Sequence, residues 1–507
     1  MAKSIMFQGT SSHVGKSILT TAFCRILLQD GYKVVPFKAQ NMALNSYVTK
    51  TGGEMGRAQV AQAEAAGLDP IVEMNPVLLK PTGNSCSQVI VRGRPVGNMS
   101  AAEYHAGYSL KALQAVTECL ETLNRDFEVL VIEGAGSPAE VNLKANDIVN
   151  MRIAKMQQAP VLLIADIDRG GALASIVGTL ELLEPEERDM VKGIVINKFR
   201  GDINLLKPAL TFLEEKTGKP VIGVVPHLTD LGIDDEDSVS LDEKTQGSKG
   251  EIDIAVLRLP KISNFTDFDA LEREPDVSVR YVRQGEALGR PDLILLPGSK
   301  NTTQDLLYLR QHGYEAQIKE LAASGTPVIG ICGGYQMLGR EIHDPEHTES
   351  ELGSVEGMGL LPTATTFAAD KITHQVVAAC DSLSFLDLNF SGSGLTGYEI
   401  HMGRTDFLAP VRHAFVINSR SGQPLAAQDG VVSENGLVMG TYMHGIFDND
   451  AFRRAVVDAL RCRKGLEPLG TVEDTHARKE ASYNRLAATV RSAMNMDLVR
   501  QIMGLKP

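Results

Sequence analysis

The chain has 507 residues, of which 43% are hydrophobic and 22% are charged, and its formal net charge is -13 at pH 7. A chain of this length predicts two or three domains with separate hydrophobic cores, and the composition is that of a globular protein. The negative charge argues against nucleic acid as the main partner, because phosphate backbones favour broad basic surfaces. No apolar stretch approaches the ~18 residues of a membrane helix and the N-terminus has no signal-peptide pattern, so we expect no membrane insertion and a cytoplasmic location.

The first half of the chain alternates short apolar runs with helical patterns. Runs of this kind fit strands that are buried on both faces of a parallel sheet, with helices as the crossovers. We therefore predict a doubly wound α/β domain over residues 1–235. The apolar runs that would form its strands are Ile5 to Gln8, Lys33 to Phe37, Val129 to Ile132, Val161 to Ala165, Ile194 to Ile196 and Val221 to Val225.

A polar stretch with few apolar residues separates this region from a second α/β series. We predict a linker over residues 236–250 and a second α/β domain over residues 251–455. In the second domain, Asn435-Gly436 lies between two β-like runs and predicts a type I′ hairpin turn. Residues 456–507 show helical patterns without a chemical motif, which predicts a helical C-terminal extension.

A glycine-rich loop directly follows the first predicted strand and precedes an amphipathic helix. Its sequence is GTSSHVGKS, from Gly9 to Ser17. In a P-loop, backbone N–H groups at a helix N-terminus cradle phosphate, a lysine neutralises the terminal phosphates, and a Ser or Thr hydroxyl holds Mg²⁺. Lys16 and Ser17 fit those roles, and Gly9, Thr10 and Gly15 would shape the ATP-binding loop. The loop departs from the simple GxxxxGK[ST] pattern, because Thr10 stands where that pattern has glycine.

A carboxylate is also needed near the metal. Glu133 follows Val129 to Ile132 and is well placed, because ligands of open α/β sheets bind at the carboxyl ends of strands. Asp166 and Asp168, at the end of the next strand, are alternative carboxylates, and Asn197-Lys198 either contacts the adenine base or forms a simple turn. The loop spacing and the segment around Glu133 resemble dethiobiotin synthetase and its relatives, which implies ATP and Mg²⁺ as co-substrate and metal.

In the second domain, a cysteine lies on a glycine-flanked turn from strand to helix, in the sequence GICGGYQML from Gly330 to Leu338. Glycines permit a sharp elbow, and a helix N-terminus favours thiolate over thiol. We therefore predict Cys332 as a nucleophile, with a buried structural cysteine as the alternative. The oxyanion would bind N–H groups of Gly333 and of the loop at Gly298. His444, on a late loop, is the expected base, and a core histidine is the alternative.

This elbow resembles class I glutamine amidotransferases, in which the cysteine forms a thioester with glutamine and releases ammonia. Those enzymes usually orient the histidine with a glutamate two residues later, whereas this sequence has Ile446 there. The loss is typical of the cobyrinic and cobyric acid synthase family. It predicts a dyad of Cys332 and His444, with Asp448 and Glu399 as alternative orienting acids.

Four unusual stretches in both domains are similar to the same family: FKAQNMALNS from Phe37, NPVLLKP from Asn75, LPKISNFTDFD from Leu259 and GYEIHMG from Gly397. The resemblance implies amidation of a corrinoid polycarboxylate with ammonia from glutamine, driven by ATP, and no bound prosthetic group. Candidate corrinoid-binding residues are Lys38, Gln40, Asn41, Asn45, Arg57 and Lys80.

Two segments, Gln40-Asn41 and Ser263-Asn264-Phe265, favour one branch of the family. That branch amidates the b, d, e and g carboxylates of adenosylcobyrinic acid a,c-diamide, with one ATP for each amidation. The alternative is the branch that forms the a,c-diamide itself. An alternative from another class is a P-loop partitioning-type ATPase with an inactive glutaminase-like module.

Overall fold

The structure is a computed structural model, and it describes residues 1–83, 85–229, 231–233, 241, 250–388, 390–470 and 473–506. Apart from Leu241 and Gly250, the predicted linker 236–250 lies outside the described residues. The helices are α1 Lys16–Gln29, α2 Arg57–Ala65, α3 Ala101–Glu103, α4 Ser109–Asp126, α5 Met151–Gln157, α6 Ala172–Leu182, α7 Pro185–Met190, α8 Ile203–Thr217, α9 Asp269–Glu272, α10 Thr302–Gln311, α11 Tyr314–Ala323, α12 Gly333–Leu338, α13 Asp450–Arg463, α14 Thr475–Ala493 and α15 Met496–Met503.

The strands of the N-terminal half are β1 Lys3–Gly9, β2 Val34–Phe37, β3 Gln40–Met42, β4 Ser46–Val48, β5 Glu54–Gly56, β6 Val77–Pro81, β7 Cys86–Val91, β8 Arg94–Ser100, β9 Val129–Glu133, β10 Val161–Asp166, β11 Val191–Phe199 and β12 Val221–Pro226. Those of the C-terminal half are β13 Ile252–Leu257, β14 Ile262–Ser263, β15 Val277–Val282, β16 Leu293–Leu296, β17 Gly298–Ser299, β18 Val328–Ile331, β19 Glu341–His343, β20 Ser354–Glu356, β21 Thr363–Cys380, β22 Gly392–Phe407, β23 Phe415–Arg420, β24 Gln423–Asp429, β25 Val431–Val432 and β26 Val438–Thr441.

The N-terminal domain is built on a parallel sheet in the order β12-β11-β10-β1-β9-β2. Successive residues of its central strand face opposite sides: Ile5 and Phe7 pack with Phe23 of α1, whereas Met6 packs in the core that contains Val116 of α4. Both faces are therefore covered by helices, as a strand of continuous apolar residues requires. The predicted doubly wound sheet is confirmed, and each predicted apolar run lies in one of its strands, except that Lys33 precedes β2.

Residues 40–100 add two small sheets that the sequence did not predict. One has the order β3-β6-β7-β8, and the other pairs β4 with β5. They follow the edge strand β2 and precede α4. Several of their residues contact the C-terminal domain, so this insertion supplies much of the interface between the two halves.

The C-terminal domain has a main sheet in the order β15-β13-β16-β18-β26-β25, parallel except for β25. A second sheet is built around the long antiparallel pair β21 and β22. The predicted hairpin exists between β25 and β26, but its turn type was wrong. Gly436 has a φ of 70° while Asn435 is not among the residues with positive φ, and a type I′ turn needs both.

The C-terminal helices are shared between the two halves. Helix α13 packs into the glutaminase-like core through Phe452 and Val456. Helices α14 and α15 return to the N-terminal domain, where Glu480 pairs with Arg25 at 2.5 Å and the Asn495 N–H donates to the Ile222 carbonyl. The predicted extension 456–507 thus contains the end of α13 together with α14 and α15, and these helices contact both halves. Among the helices of the described residues, none has the length and hydrophobicity needed to cross a bilayer.

Candidate functional site

Cys332 occupies a strained elbow between β18 and α12. Its φ of 53° and ψ of -108° are unusual for a residue with a side chain. The elbow needs glycine beside it, because a Cβ on Gly334 would lie 2.1 Å from the carbonyl oxygen of Leu296. The Cys332 N–H donates to the Thr441 carbonyl at 2.8 Å, which ties the elbow to the neighbouring strand β26. The geometry is that of a presented nucleophile.

His444 and Asp267 form a buried hydrogen-bonded pair beside this cysteine. The Nδ1 of His444 lies 2.6 Å from Oδ2 of Asp267, and Oδ1 of Asp267 accepts from the Gly445 N–H at 2.9 Å. The carboxylate is an acceptor, so Nδ1 carries the proton. Nε2 of His444 has no hydrogen-bond partner within the described residues, which leaves it available towards Cys332.

The charge of Asp267 controls the imidazole. Burial alone would lower the pKa of His444, but the charge and hydrogen bond of Asp267, together with the neighbouring Cys332, hold that pKa well above its usual value. An imidazolium beside the sulfur favours thiolate. The three side chains thus have the arrangement of a nucleophile, a base and an orienting acid.

The dyad prediction is therefore wrong. Asp267 lies in the 3-10 turn Phe265–Phe268, 177 residues before His444, so no local spacing could reveal it. Glu399 instead pairs with Arg420 at 2.7 and 2.9 Å. Asp448 lies in the turn just after the histidine, but the hydrogen bond of Nδ1 goes to Asp267.

The two glycines predicted for the oxyanion site also lie here. A Cβ on Gly333 would come within 2.8 Å of the Ser299 backbone nitrogen, and a Cβ on Gly298 would come within 3.1 Å of Cε1 of His444. Strand β17 and the start of α12 therefore meet next to the nucleophile. Only residues without side chains permit this close approach.

The predicted phosphate loop lies at the carboxyl end of the central strand β1. Gly15 has a φ of 96°, and a Cβ there would lie 2.1 Å from Nδ2 of Asn197. The Asn197 amide donates to the Val14 carbonyl at 2.8 Å, so this side chain braces the loop. A Cβ on Gly9 would also lie 2.6 Å from Val14. The Thr10 N–H is bonded to the Ile164 carbonyl of β10.

Lys16 is the buried cation of this loop. Its Nζ donates to the backbone carbonyls of Ser11 at 3.0 Å and Gly136 at 3.1 Å. Both carbonyls belong to loops at the same edge of the sheet, so the ammonium lies inside the concave surface that the loop forms. An anion that enters this surface meets the lysine together with the N-terminus of α1.

Ser17 and Glu133, the two predicted metal ligands, are in direct contact. The Ser17 hydroxyl donates to Oε1 of Glu133 at 2.9 Å, Lys38 donates to the same oxygen at 2.8 Å, and Gln62 donates to Oε2 at 2.5 Å. A hydroxyl and a carboxylate are hard oxygen ligands, and they fit Mg²⁺, which takes its other ligands from phosphate and water. Within the described residues, no group of three or more His, Cys, Asp or Glu could hold a metal ion by itself.

The alternative carboxylates of the sequence prediction have other partners. Asp166 pairs with Lys198 at 3.0 Å, and Asp168 pairs with Arg200 at 3.1 Å. Glu133 is the carboxylate that reaches Ser17.

Residues of the N-terminal insertion contact the turn that carries Asp267. The Ser46 N–H donates to Oδ1 of Asn264 at 3.0 Å, and Oδ1 of Asn45 accepts from the Phe265 N–H at 3.3 Å. The Tyr398 hydroxyl donates to the Ser46 carbonyl at 3.3 Å, and its ring stacks on His444 with centroids 5.1 Å apart. The two halves therefore meet at the residues that surround His444 and Asp267.

A buried ion cluster lies at the same interface. Glu54 is bonded to Lys80 at 2.8 Å and to Lys371 at 2.5 Å. Burial would raise the pKa of Glu54, but the two lysines hold it well below its usual range. Lys371 belongs to the C-terminal half, so this cluster crosses the interface.

The predicted corrinoid-binding residues are mostly engaged inside the protein. Lys38 binds Glu133, Asn41 binds Gln59, and Lys80 belongs to the ion cluster. Gln40 accepts from the Tyr104 hydroxyl, Asn45 contacts the turn at Phe265, and Arg57 lies over the ring of Tyr47.

Two family descriptions match the chain. Residues 5–240 match the CobQ/CobB/MinD/ParA nucleotide binding domain, and residues 253–452 match the CobB/CobQ-like glutamine amidotransferase domain. Each matched range contains one of the two sites, which confirms the predicted division into a nucleotide-binding half and a glutamine amidotransferase half.

Relatives match along the whole length. Proteins named cobyric acid synthase from Pelotomaculum thermopropionicum and Moorella thermoacetica are each 57% identical, over 100% of this chain and over 97% and 98% of their own. The one from Streptococcus sanguinis is 50% identical over 99% of both chains. Among solved structures, PurLQS from Thermotoga maritima aligns with 46% of this chain and 99% of its own at 20% identity, and its TM-score of 0.32 adds nothing to the assignment. The chain belongs to the cobyric acid synthase family, the glutamine amidotransferases of cobalamin biosynthesis.

Proposed function

We propose that this chain amidates the b, d, e and g carboxylates of adenosylcobyrinic acid a,c-diamide, with ammonia from glutamine and one ATP for each amidation. The observation that carries the proposal is the pairing of two sites on one chain, a phosphate loop at Lys16 and a complete nucleophile, base and acid group at Cys332. Full-length similarity to proteins named cobyric acid synthase supports the choice of substrate.

In the glutaminase half, Cys332 attacks the side-chain amide carbon of glutamine. Backbone N–H groups at Gly333 and in the loop at Gly298 stabilise the oxyanion. His444, oriented by Asp267, protonates the departing nitrogen, and ammonia leaves. Water then hydrolyses the thioester and releases glutamate, which restores the thiol.

In the ATP half, Lys16 and the loop from Gly9 to Ser17 hold the phosphates, with Gly15 and Thr10 setting the backbone. Ser17 and Glu133 would ligate Mg²⁺, which supplies neutralisation of phosphate charge. A corrinoid carboxylate oxygen attacks the terminal phosphorus and ADP leaves. Ammonia then attacks the carbonyl carbon of the acyl phosphate, phosphate leaves, and an amide remains.

The decisive experiment is mass spectrometry of the corrinoid after incubation of the purified chain with ATP, Mg²⁺ and glutamine. We expect adenosylcobyrinic acid a,c-diamide to exchange four –OH groups for –NH₂ groups. A chain that instead acts on cobyrinic acid at the a and c positions belongs to the alternative branch. A chain that hydrolyses ATP but releases no ammonia from glutamine is the partitioning-type ATPase, an alternative that the intact group of Cys332, His444 and Asp267 disfavours.

A Cys332→Ala variant tests the division of labour between the two sites. We expect it to lose synthesis from glutamine and to retain synthesis from a high concentration of ammonium, because the thiol belongs to the C-terminal half, where it donates to the Ile400 carbonyl, and not to the phosphate loop. An equal loss with both nitrogen sources would contradict two separate sites.

A further inference from the structure

A pocket adjoins Cys332 and reaches the interface between the two halves. Its charged lining includes three lysines, Lys80, Lys300 and Lys371, and one acid, Glu349. Burying an ammonium group without a partner costs free energy, so charged side chains beside a nucleophile need partners in the protein or in the substrate.

Two of the three lysines already have partners. Lys80 binds Glu54 and the Ser46 hydroxyl, and Lys371 binds Glu54 and the Gln88 side chain. Both ammonium groups are fixed by direct bonds to the single carboxylate of Glu54, and Lys371 makes its bond across the interface.

Lys300 differs from Lys80 and Lys371 in its contacts. In the part of the chain that the structure describes, its ammonium makes no hydrogen bond and no ion pair, although it lines the pocket with Cys332. Burial lowers its pKa, and the charges of Glu349 and Cys332 act in the opposite direction. A buried cation without a direct partner, next to a reaction centre, is suited to an anionic group of the substrate.

The backbone fixes the position of Lys300. It follows β17 and precedes Asn301, the N-cap of α10. The Asn301 N–H donates to the Ser299 hydroxyl at 3.0 Å, and Ser299 is the residue whose N–H faces Gly333. The segment that carries Lys300 is therefore the segment that closes over the start of α12.

Glu349 is held against the same helix end. Its Oε2 accepts from the Thr302 N–H at 3.0 Å, and its carbonyl accepts from the Asn301 side chain at 2.9 Å. The loop that brings it there is fixed by Asp344, which accepts from the Glu349 and Ser350 N–H groups at 2.9 Å each. Burial raises the pKa of Glu349 to about 7.

A free amino acid complements this pair of charges. Glutamine carries a carboxylate and an ammonium on its Cα, and only its far end reacts with the thiol. We propose that Lys300 binds the α-carboxylate of glutamine and that Glu349 binds its α-ammonium, so that the site recognises a free zwitterionic amino acid. This assignment rests on the proposed glutaminase reaction at Cys332.

Two truncated amides test the two contacts separately. 4-Aminobutanamide is glutamine without its α-carboxylate, and 4-carbamoylbutanoate is glutamine without its α-ammonium. Hydrolysis of glutamine and of each truncated amide is measured with the full chain in the presence of ATP and corrinoid, as formation of the carboxylate product: glutamate, 4-aminobutanoate or pentanedioate. We expect Lys300→Met to raise the KM for glutamine and to reduce the preference for glutamine over 4-aminobutanamide by about tenfold to hundredfold, the range expected for a buried charge-assisted contact. Glu349→Gln should reduce the preference for glutamine over 4-carbamoylbutanoate instead.

Lys371→Met is the matched control, because it removes a lysine from the same pocket whose ammonium is already bonded to Glu54 and Gln88. It should leave the preference between the amides as it is. Lys300→Arg keeps the charge and should keep most of the preference, and synthesis from ammonium reports that each variant is folded.

The alternative role of Lys300 is to stabilise the Cys332 thiolate. In that case Lys300→Met would slow the reaction of all three amides equally and would also slow alkylation of Cys332 by iodoacetamide, which overturns the proposal. An unchanged preference in Lys300→Met overturns it as well. A wild-type chain that hydrolyses none of the amides would contradict the proposed glutaminase function itself.

Discussion

Nδ1 of His444 lies 2.6 Å from Oδ2 of Asp267, although 177 residues separate the two in sequence. The acid that class I glutamine amidotransferases usually place two residues after the histidine is thus supplied here from another part of the same domain. The carboxylate is fixed by a second hydrogen bond from the Gly445 N–H, next to the histidine. Such a bidentate arrangement sets both the tautomer and the orientation of the ring.

Asp267→Asn should therefore impair glutamine hydrolysis severely. An asparagine keeps the shape but removes the charge that stabilises the imidazolium, so we expect a loss of about two to four orders of magnitude in glutamine-dependent kcat. Asp448→Asn is the matched control and should have a much smaller effect. Steady-state ammonia release measures both, and a deeper loss in Asp448→Asn would return the orienting role to that residue.

The pH profile of the same variant gives an independent check. Asp267 raises the pKa of His444 against the opposing effect of burial. Without the negative charge the pKa of the imidazolium falls, so the cationic form is lost at lower pH. We expect the alkaline limb of kcat/KM for glutamine to move to lower pH in Asp267→Asn. A limb that stays in place would show that this limb does not report His444.

Many residues of the two candidate sites could be predicted from local sequence motifs. The strand-to-helix turns at Lys16 and Cys332 are contiguous motifs, and the structure places both at the carboxyl ends of parallel strands. Buried parallel strands read as continuous apolar runs, so the positions of these strands were also predictable.

The non-local features could not be predicted in this way. The stretch from Leu259 was recognised as similar to the family, but nothing in it assigns Asp267 to a histidine far along the chain. The strands Gln40–Met42 and Ser46–Val48 have three residues each and little apolar periodicity. Their pairing, and their contacts with the other half, depend on tertiary structure that a sequence window does not contain.

Lys16→Ala should abolish amide synthesis from glutamine and from ammonium alike. The ammonium is positioned to stabilise charge on the transferring phosphoryl group, and removal of one such group costs about 10²-fold or more in rate. Corrinoid amide formation is measured with each nitrogen source, and ammonia release from glutamine without ATP serves as the folding control. Synthesis from ammonium at a near normal rate would contradict this role.

The contact between Tyr398 and Ser46 predicts communication between the two sites. Because Cys332, His444 and Asp267 form a complete group, the lack of an orienting acid cannot be what limits glutamine hydrolysis in the absence of the other substrates. Such a limit has to come from other residues. Tyr398 stacks on His444 with an angle of 16° between the rings, and its hydroxyl donates to the Ser46 carbonyl of the ATP half. A shift of the N-terminal insertion on substrate binding would therefore reach the base directly.

We expect ATP and corrinoid together to accelerate the hydrolysis of glutamine, measured as glutamate formation, in the wild type, and Tyr398→Phe to weaken that acceleration. Phenylalanine keeps the stacked ring and loses only the hydrogen bond across the interface, so the ratio of rates with and without ATP and corrinoid should fall about two- to tenfold, the equivalent of one neutral hydrogen bond. Tyr47→Phe is the matched control: its ring lies 5.3 Å from that of Tyr398, and its hydroxyl makes no hydrogen bond to the other half within the described residues. The ratio should stay at its wild-type value in this control. If Tyr398→Phe also kept the full ratio, the hydroxyl would have no part in the coupling. The hydrogen bond from the Ser46 N–H to the Asn264 side chain would be the next to test, by Asn264→Gly, which keeps the left-handed backbone and removes the side chain.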